Sequence, residues 1–211
     1  MRRATGSWAG AVRFGLTVVL VVSLAGCFGD APPVPEDRYY RVTLDAPPER
    51  SDQPLFDGVV LVQPFGADGL LRDRALVYSV DNPGGELKQH HYHFWTDTPP
   101  RLLQEATASY LRLAGIARDV VTPELRVPAE IEVQGHLLRF DRVLGGDVPR
   151  VAVELRLALV DARDGQLIVM NSYADEVPCA DDSVNAAVRG FNEALSGIYR
   201  RFLADIEQAA D

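Results

Sequence analysis

Cysteine, lysine and enzyme motifs are all scarce in this sequence. Its 211 residues include two cysteines, Cys27 and Cys179, and a single lysine, Lys88. Two cysteines cannot build a framework of several disulfides, and one lysine supplies little phosphate chemistry. The sequence also has no Gly-x-Ser-x-Gly, Gly-x-x-x-x-Gly-Lys, His-Glu-x-x-His or dinucleotide-binding motif. We therefore predict that the protein is not an enzyme, with no catalytic residue and no cofactor.

No apolar segment is long enough to span a membrane as a helix. The run from Phe14 to Ala25 has 12 residues, whereas a helix needs roughly 20 residues to cross the hydrocarbon core of a bilayer. Three of the first 13 residues are arginines, and small residues close the run. A basic start, a short apolar run and a small-residue cleavage site are typical of a secretory signal peptide. We predict a cleaved signal peptide at residues 1–26.

The end of this segment carries a possible lipidation site. Leu24-Ala25-Gly26-Cys27 resembles the bacterial lipobox, whose cysteine is acylated and becomes the first residue of the mature chain. Several acyl chains, at about 0.8 kcal/mol per buried CH₂, make such an attachment effectively permanent. We predict lipidation of Cys27; the alternative is an ordinary secretory signal in which this cysteine has no role.

The remaining 185 residues are acidic and have the length of one domain. Removing residues 1–26 takes away three arginines and no acid, so the net charge changes from −9 to −12. This charge argues against binding to nucleic acid or to anionic lipid head groups. Cys179 is left without an intrachain partner, and we expect it to be buried and inert.

A flexible tether and one folded domain are predicted after Cys27. Residues 27–37 are rich in proline and acid and show no periodicity, which is typical of an extended tether. The domain, residues 38–211, contains several β-type segments, of which 75–80 and 87–94 suit a hairpin and the last three an antiparallel meander. The predicted strands cover residues 39–44, 59–62, 75–80, 87–94, 131–140, 151–159 and 167–173.

Two segments have the 3.6-residue period of amphipathic helices. The first begins after a possible N-cap at Thr98 and ends at Gly115, and its predicted buried face is Leu103, Ala106, Tyr110 and Leu113. The second begins at Asp181, Asp182 or Ser183 and runs to the C-terminus. Its apolar stripe comprises Val184, Ala187, Val188, Phe191, Leu195, Ile198 and Phe202. These elements predict an α/β or α+β domain with a mixed, largely antiparallel sheet and two main amphipathic helices.

A histidine-rich strand is the nearest feature to a metal site. Strand alternation predicts His91 and His93 on one face and His90 on the other. A shared metal ion would need a further ligand, for which Glu86 and His136 are candidates. The alternative, which we favour, is a surface strand with polar side chains, so no metal site is predicted.

Other chemically suggestive residues have structural explanations. The aromatic residues Tyr39, Tyr40, Phe94 and Trp95 lie beside strand ends, where such residues mostly belong to the core or its rim. The acidic pair Asp181-Asp182 suits the free N–H groups at a helix start better than acid–base catalysis.

Several short motifs, in this order, resemble the ABC-type transport auxiliary lipoproteins. The segments that carry the resemblance are Leu24–Cys27, Tyr39–Leu44, Arg74–Tyr78, Phe94–Leu103 and the strand meander followed by a long helix. The resemblance implies a three-layer α/β domain, anchored through Cys27 to the outer membrane and facing the periplasm. Phe28, instead of aspartate, follows Cys27, which by the sorting rule of enteric bacteria favours the outer membrane.

The resemblance also implies partners. Members of the family are associated with conduit proteins of the mammalian-cell-entry class and with ABC transporter components. The implied role is an accessory subunit of intermembrane lipid transport that supports membrane integrity, and we expect a homo-oligomer because closed symmetry is the usual way to meet an oligomeric partner. Two alternatives remain: a structural or assembly lipoprotein of the outer membrane or cell wall, and a metal-dependent hydrolase built on the histidines.

Overall fold

The computed structural model describes residues 33–48, 53–80 and 85–210. The chain divides into two units, Met1–Glu36 and Asp37–Asp211. In the first unit, only residues 33–36 are described; they are exposed and have no regular secondary structure. The predicted signal peptide, Cys27 and Phe28 lie outside the described residues, so these predictions stay untested.

The described residues of the second unit form one sheet and two α-helices. Its nine described strands are β1 Arg38–Tyr40, β2 Phe56–Val62, β3 Gly66–Ala67, β4 Ala75–Ser79, β5 Leu87–Trp95, β6 Ala117–Val121, β7 Ile131–Val143, β8 Arg150–Asp161 and β9 Leu167–Pro178. The helices are α1 Pro99–Ala114 and α2 Val184–Ala210. Two short 3₁₀ helices cover Gly69–Arg72 and Pro123–Leu125.

The long strand β7 organises the sheet. Along one edge it pairs in parallel with β2, β3 and β4 in succession, and along the other edge it pairs antiparallel with β8. β5 continues the sheet beyond β4 as an antiparallel partner, β1 and β6 form parallel outer strands, and β9 is antiparallel to β8. The predicted hairpin, the meander and the mixed α/β class are therefore confirmed.

The strand β8 forms the centre of the hydrophobic core. Its alternating residues Val151, Val153, Leu155, Leu157 and Leu159 are all buried, whereas Arg156, on the other side, is exposed. The large apolar residues therefore share the face that lies on the core, as the alternation predicts, while Ala152 and Ala158 on the other face are also buried. Helix α2 covers the buried face of β8, whereas α1 packs against β6, β2 and β7.

Helix α2 begins and packs as its sequence predicts. The Ser183 Oγ accepts the backbone N–H of Ala186 at 3.0 Å, which identifies Ser183 among the three candidate caps. The stripe residues Phe191, Leu195 and Phe202 are fully buried. At Gly190, an added Cβ would lie 3.0 Å from Val151 Cγ2, so glycine allows close approach of α2 to β8.

Helix α1 ends where predicted but presents a different face. Gly115 adopts a left-handed conformation (φ 72°) and donates its N–H to the carbonyls of Leu111 and Arg112. Leu103 and Tyr110 are buried as expected. The prediction for Leu113 was wrong, because this side chain is 55% exposed. The helix is rotated so that polar Gln104 and Thr107 also face the interior, which leaves Leu113 at the edge.

Candidate functional site

The histidine strand does not pair its rings as alternation predicted. His90 and His93, not His91 and His93, lie together, with ring centroids 5.4 Å apart. The prediction was wrong because the pairing of β4 and β5 is irregular. The six residues Gln89–Phe94 of β5 lie opposite only the three residues Ala75–Val77 of β4. Such a bulge shifts later side chains to the other face of the strand.

The side chains of His90 and His93, which lie together, are neutral at pH 7. Burial lowers the pKa of His90 to about 4, with smaller effects from His93, Arg142 and His91. Burial also lowers the pKa of His93, helped by Arg38 and Arg142. The His93 Nδ1 lies 2.8 Å from the Tyr40 hydroxyl, and the His90 Nε2 is buried without a hydrogen-bond partner within the described residues.

The proposed additional metal ligands are engaged elsewhere. Glu86 pairs with Lys88 at 3.2 Å, and the His136 Nε2 lies 3.1 Å from Asp68 Oδ2. No group of three or more His, Cys, Asp or Glu side chains in the described part of the chain could hold a metal ion. The histidines instead belong to an aromatic cluster that includes Tyr78, whose ring lies 4.7 Å from His90.

Cys179 and Trp95 belong to the buried core, whereas Tyr39 does not. Cys179 is buried, and burial raises the pKa of its thiol. Trp95 is buried against Phe140, with ring centroids 5.1 Å apart. Tyr39 is not a core residue, since it is 54% exposed; its ring stacks on Phe94 at the edge of the sheet.

An extended segment, Arg41–Asp45, follows β1 and lies along α2. We call this segment the strap. The Thr43 N–H donates to Asn192 Oδ1 at 3.0 Å, and the Asp45 N–H donates to Ser196 Oγ at 3.0 Å. Two residues of extended chain span about 6.6 Å and four residues of helix rise about 6 Å, so alternate strap amides match successive turns of α2.

The strap and α1 enclose a groove. Its volume is about 420 Å³, which is within the usual range of ligand and peptide sites, roughly 300–1,000 Å³. Side chains of α1 at helical spacing form one wall, and the strap forms the other. The residues that line the groove are Arg41, Val42, Thr43, Leu44, Asp45, Thr96, Leu102, Glu105, Ala106, Ser109, Tyr110 and Leu113.

A buried tyrosine with an unused hydroxyl lies in this groove. Tyr110 is 2% exposed, and its hydroxyl has no hydrogen-bond partner in the described part of the chain. Burial raises the pKa of Tyr110, so the group is a protonated donor at neutral pH. The adjacent Tyr199, at 5.6 Å between ring centroids, is by contrast satisfied by Thr107 and Leu103.

The sequence pattern did not predict this groove. It predicts that Tyr110 and Leu113 lie on one buried face of α1 and that the first strand continues to Leu44. The loss of pairing after Tyr40 depends on where β5 ends, which the strap's own sequence does not show.

The sheet and the two helices define an α/β domain that carries a groove between the strap and α1. The family model for the ABC-type transport auxiliary lipoprotein component matches residues 40–201. Since this match spans well over half of the sequence, the chain belongs to that family. The family description names an auxiliary component of transport. Neither described helix is both long and apolar enough to cross a membrane.

Solved structures support the same fold. Protein XCC0632 from Xanthomonas campestris is 18% identical, with a TM-score of 0.70, over 81% of this chain and 97% of that one. The hypothetical protein CT253 from Chlamydia trachomatis is 14% identical, with a TM-score of 0.50, over 73% of this chain and 98% of that one. A search of curated protein sequences gives no match.

Proposed function

We propose that the protein is a lipid-anchored accessory subunit of an intermembrane lipid transport system. Acylated Cys27 holds it in the outer membrane, facing the periplasm. There it docks a conduit of the mammalian-cell-entry class that works with an inner-membrane ABC transporter, and so supports membrane integrity. The observation that carries this proposal is the family match over residues 40–201, combined with the lipobox sequence at Leu24–Cys27.

The geometry of the domain supports a role in binding. The histidines that could have formed a metal centre are engaged with Tyr40, Tyr78 or Asp68. The groove, in contrast, combines largely apolar walls with a buried hydroxyl that has no acceptor among the described residues. A groove with these properties suits the binding of another molecule, and a docking subunit needs such a binding surface.

Self-association is a second part of the proposal. A subunit that receives the end of an oligomeric conduit is expected to form a closed, symmetric assembly. Native mass spectrometry of the lipidated protein in mild detergent measures the number of copies. A single species that contains several copies of the chain supports the closed assembly, and a monomer at every protein concentration contradicts it.

Affinity purification of the tagged, lipidated protein from its own membranes tests the main proposal. We expect a conduit-class protein and ABC transporter components in stoichiometric yield. A Cys27→Ala variant, which lacks the anchor, provides the matched control and is expected to lose these partners. Recovery of cell-wall or outer-membrane assembly factors alone would overturn the transport role in favour of a structural lipoprotein.

A further inference from the structure

The strap presents an unpaired backbone edge to the groove. The Tyr40 carbonyl accepts the Thr96 N–H at 2.8 Å, so the polar backbone groups of Tyr40 face the side of β5. The N–H groups of Thr43 and Asp45 face the opposite side, toward α2. Backbone groups alternate along an extended chain.

The alternation assigns the free edge to two residues. The N–H and C=O groups of Val42 and Leu44 face the groove, as those of Tyr40 face β5. Neither residue has a backbone hydrogen-bond partner within the described ranges. Because β5 ends at Trp95 and the chain turns into α1, the strand that would have paired with them is missing.

The opposite wall suits apolar side chains. Leu102, Ala106 and Leu113 lie on the groove side of α1 at helical spacing, and Leu113 is 55% exposed. Between the two walls, the Tyr110 hydroxyl needs an acceptor. An extended peptide meets all three requirements. Its N–H and C=O groups pair with the strap, its apolar side chains contact α1, and one of its carbonyls accepts a hydrogen bond from the Tyr110 hydroxyl.

Charges at the two ends of the strap define the occupant further. Arg41 and Asp45 line opposite ends of the groove and form no ion pair within the described residues, whereas Glu105 is paired with Arg101 at 3.9 Å. A complementary segment therefore carries an acidic group beside Arg41 and a basic group beside Asp45. A chain end with a free carboxylate meets this requirement when it runs antiparallel to the strap.

We propose that the groove binds an extended, apolar segment of a partner protein, which pairs antiparallel with Val42 and Leu44 as an added strand. This inference rests on the docking function proposed above and specifies the kind of segment that docks. The occupant is a peptide, with a basic residue at its N-terminal end and an acidic residue at its C-terminal end.

Defined peptides test the pairing. The full lipidated chain in nanodiscs is titrated with fluorescein-labelled Lys-Val-Val-Ala-Val-Glu, and binding is measured by fluorescence anisotropy. Two isomers carry N-methyl groups at alternate positions, either the second and fourth or the third and fifth. Only one set of N–H groups faces the strap in a paired strand, so one isomer should bind about tenfold more weakly and the other about as well as the parent.

Hydrogen–deuterium exchange locates the bound peptide. We expect slower exchange of the Val42 and Leu44 amides when the parent peptide is added, while the Thr43 and Asp45 amides, already bonded to α2, change little. No change at Val42 and Leu44, or equal binding of the two N-methyl isomers, would overturn the proposal.

Groove variants separate this site from other surfaces. Ala106→Trp fills the groove and should abolish peptide binding, while Tyr110→Phe should weaken it several-fold by removing one donor. Met170→Trp, at an exposed position of β9, is the matched control and should leave binding unchanged. Undiminished binding to both groove variants contradicts the proposal. If the conduit still co-purifies while the peptide results fail, only the groove assignment falls and the docking function stands.

Discussion

Tyr110 and Tyr199 are neighbouring buried tyrosines with opposite hydrogen-bonding situations. The Tyr199 hydroxyl accepts from Thr107 Oγ1 at 2.7 Å and donates to the Leu103 carbonyl. The Tyr110 hydroxyl has no partner within the described residues. The pair therefore separates a hydroxyl that is bonded within the fold from one that has no partner among the described residues.

Phenylalanine substitutions distinguish the two roles. Tyr199→Phe should lower the free energy of unfolding by about 1–2 kcal/mol, because it removes a satisfied buried hydroxyl and leaves Thr107 with fewer partners. Tyr110→Phe should leave the free energy of unfolding unchanged or slightly higher. Urea unfolding followed by circular dichroism measures both. A loss for Tyr110→Phe as large as that for Tyr199→Phe would mean that the Tyr110 hydroxyl is satisfied in the fold.

His90 makes the stability depend on pH in the acidic range. Its pKa is about 4 in the folded protein and 6.5 for the unperturbed group, because burial disfavours the charged ring. Below pH 6.5 the unfolded chain binds this proton first, so stability falls as the pH drops from about 6.5 toward 4 and is fully retained above 6.5.

Two single substitutions test this dependence. His90→Phe keeps a ring beside Tyr78 and should flatten the slope of stability against pH between 6.5 and 4. Tyr92→Phe, at an exposed position of the same strand, is the control and should keep the wild-type slope. Thermal unfolding over this pH range provides the comparison, and equal slopes for the wild type and His90→Phe would refute the assignment.

At the scale of elements, α2 carries two glycines that differ in what surrounds them. An added Cβ at Gly190 would lie 3.0 Å from the branched, fully buried Val151. At Gly197 it would lie 2.9 Å from Asp175 Oδ2, the end of a partly exposed side chain that can move. The gain in helix propensity from alanine, about 1 kcal/mol, is the same for both.

Alanine at these two positions should therefore have opposite effects. We expect Gly190→Ala to destabilise the protein, because α2 must move away from β8 in a close-packed core. Gly197→Ala should stabilise it by up to about 1 kcal/mol. Denaturant midpoints measure both changes, and stabilisation by Gly190→Ala would show that Val151 can rearrange.

The strap depends on two side chains of α2. Asn192→Ala combined with Ser196→Ala removes the acceptors for the Thr43 and Asp45 amides. We expect faster hydrogen exchange at these amides and little change in global unfolding, since the strap contributes few buried side chains. Glu193→Ala, an exposed position on the same turn, should leave the exchange rates unchanged. If exchange stays slow in the double variant, contacts other than these two bonds hold the strap.

For the molecule as a whole, the proposed attachment to the membrane depends on Cys27, which lies outside the domain. Several acyl chains on Cys27 would hold the acidic domain at a membrane surface that its charge alone does not favour. Cys27→Ala should therefore move the protein from the membrane fraction to the soluble fraction without changing its melting temperature. Fractionation followed by immunoblotting measures this, and Cys179→Ala is the control expected to stay with the membrane.

Local sequence patterns indicate both long helices, most of the strands and the class of fold, whereas β3 and β6 were not predicted. The alternating large apolar residues of β8, the apolar stripe of α2, the Ser183 cap and the left-handed Gly115 are local signals, and the structure contains each of them. Such signals depend on neighbours within a few residues, so they can be recognised without knowing the tertiary contacts.

The arrangement of the histidines and the groove, in contrast, depends on tertiary contacts. The bulge between β4 and β5 placed His90 beside His93, because the number of residues facing a partner strand depends on that partner. The rotation of α1 exposed Leu113, and β5 ends before Val42 and Leu44, which have no backbone hydrogen-bond partner among the described residues. These features arise from distant segments meeting, and no pattern within one segment specifies where another segment stops.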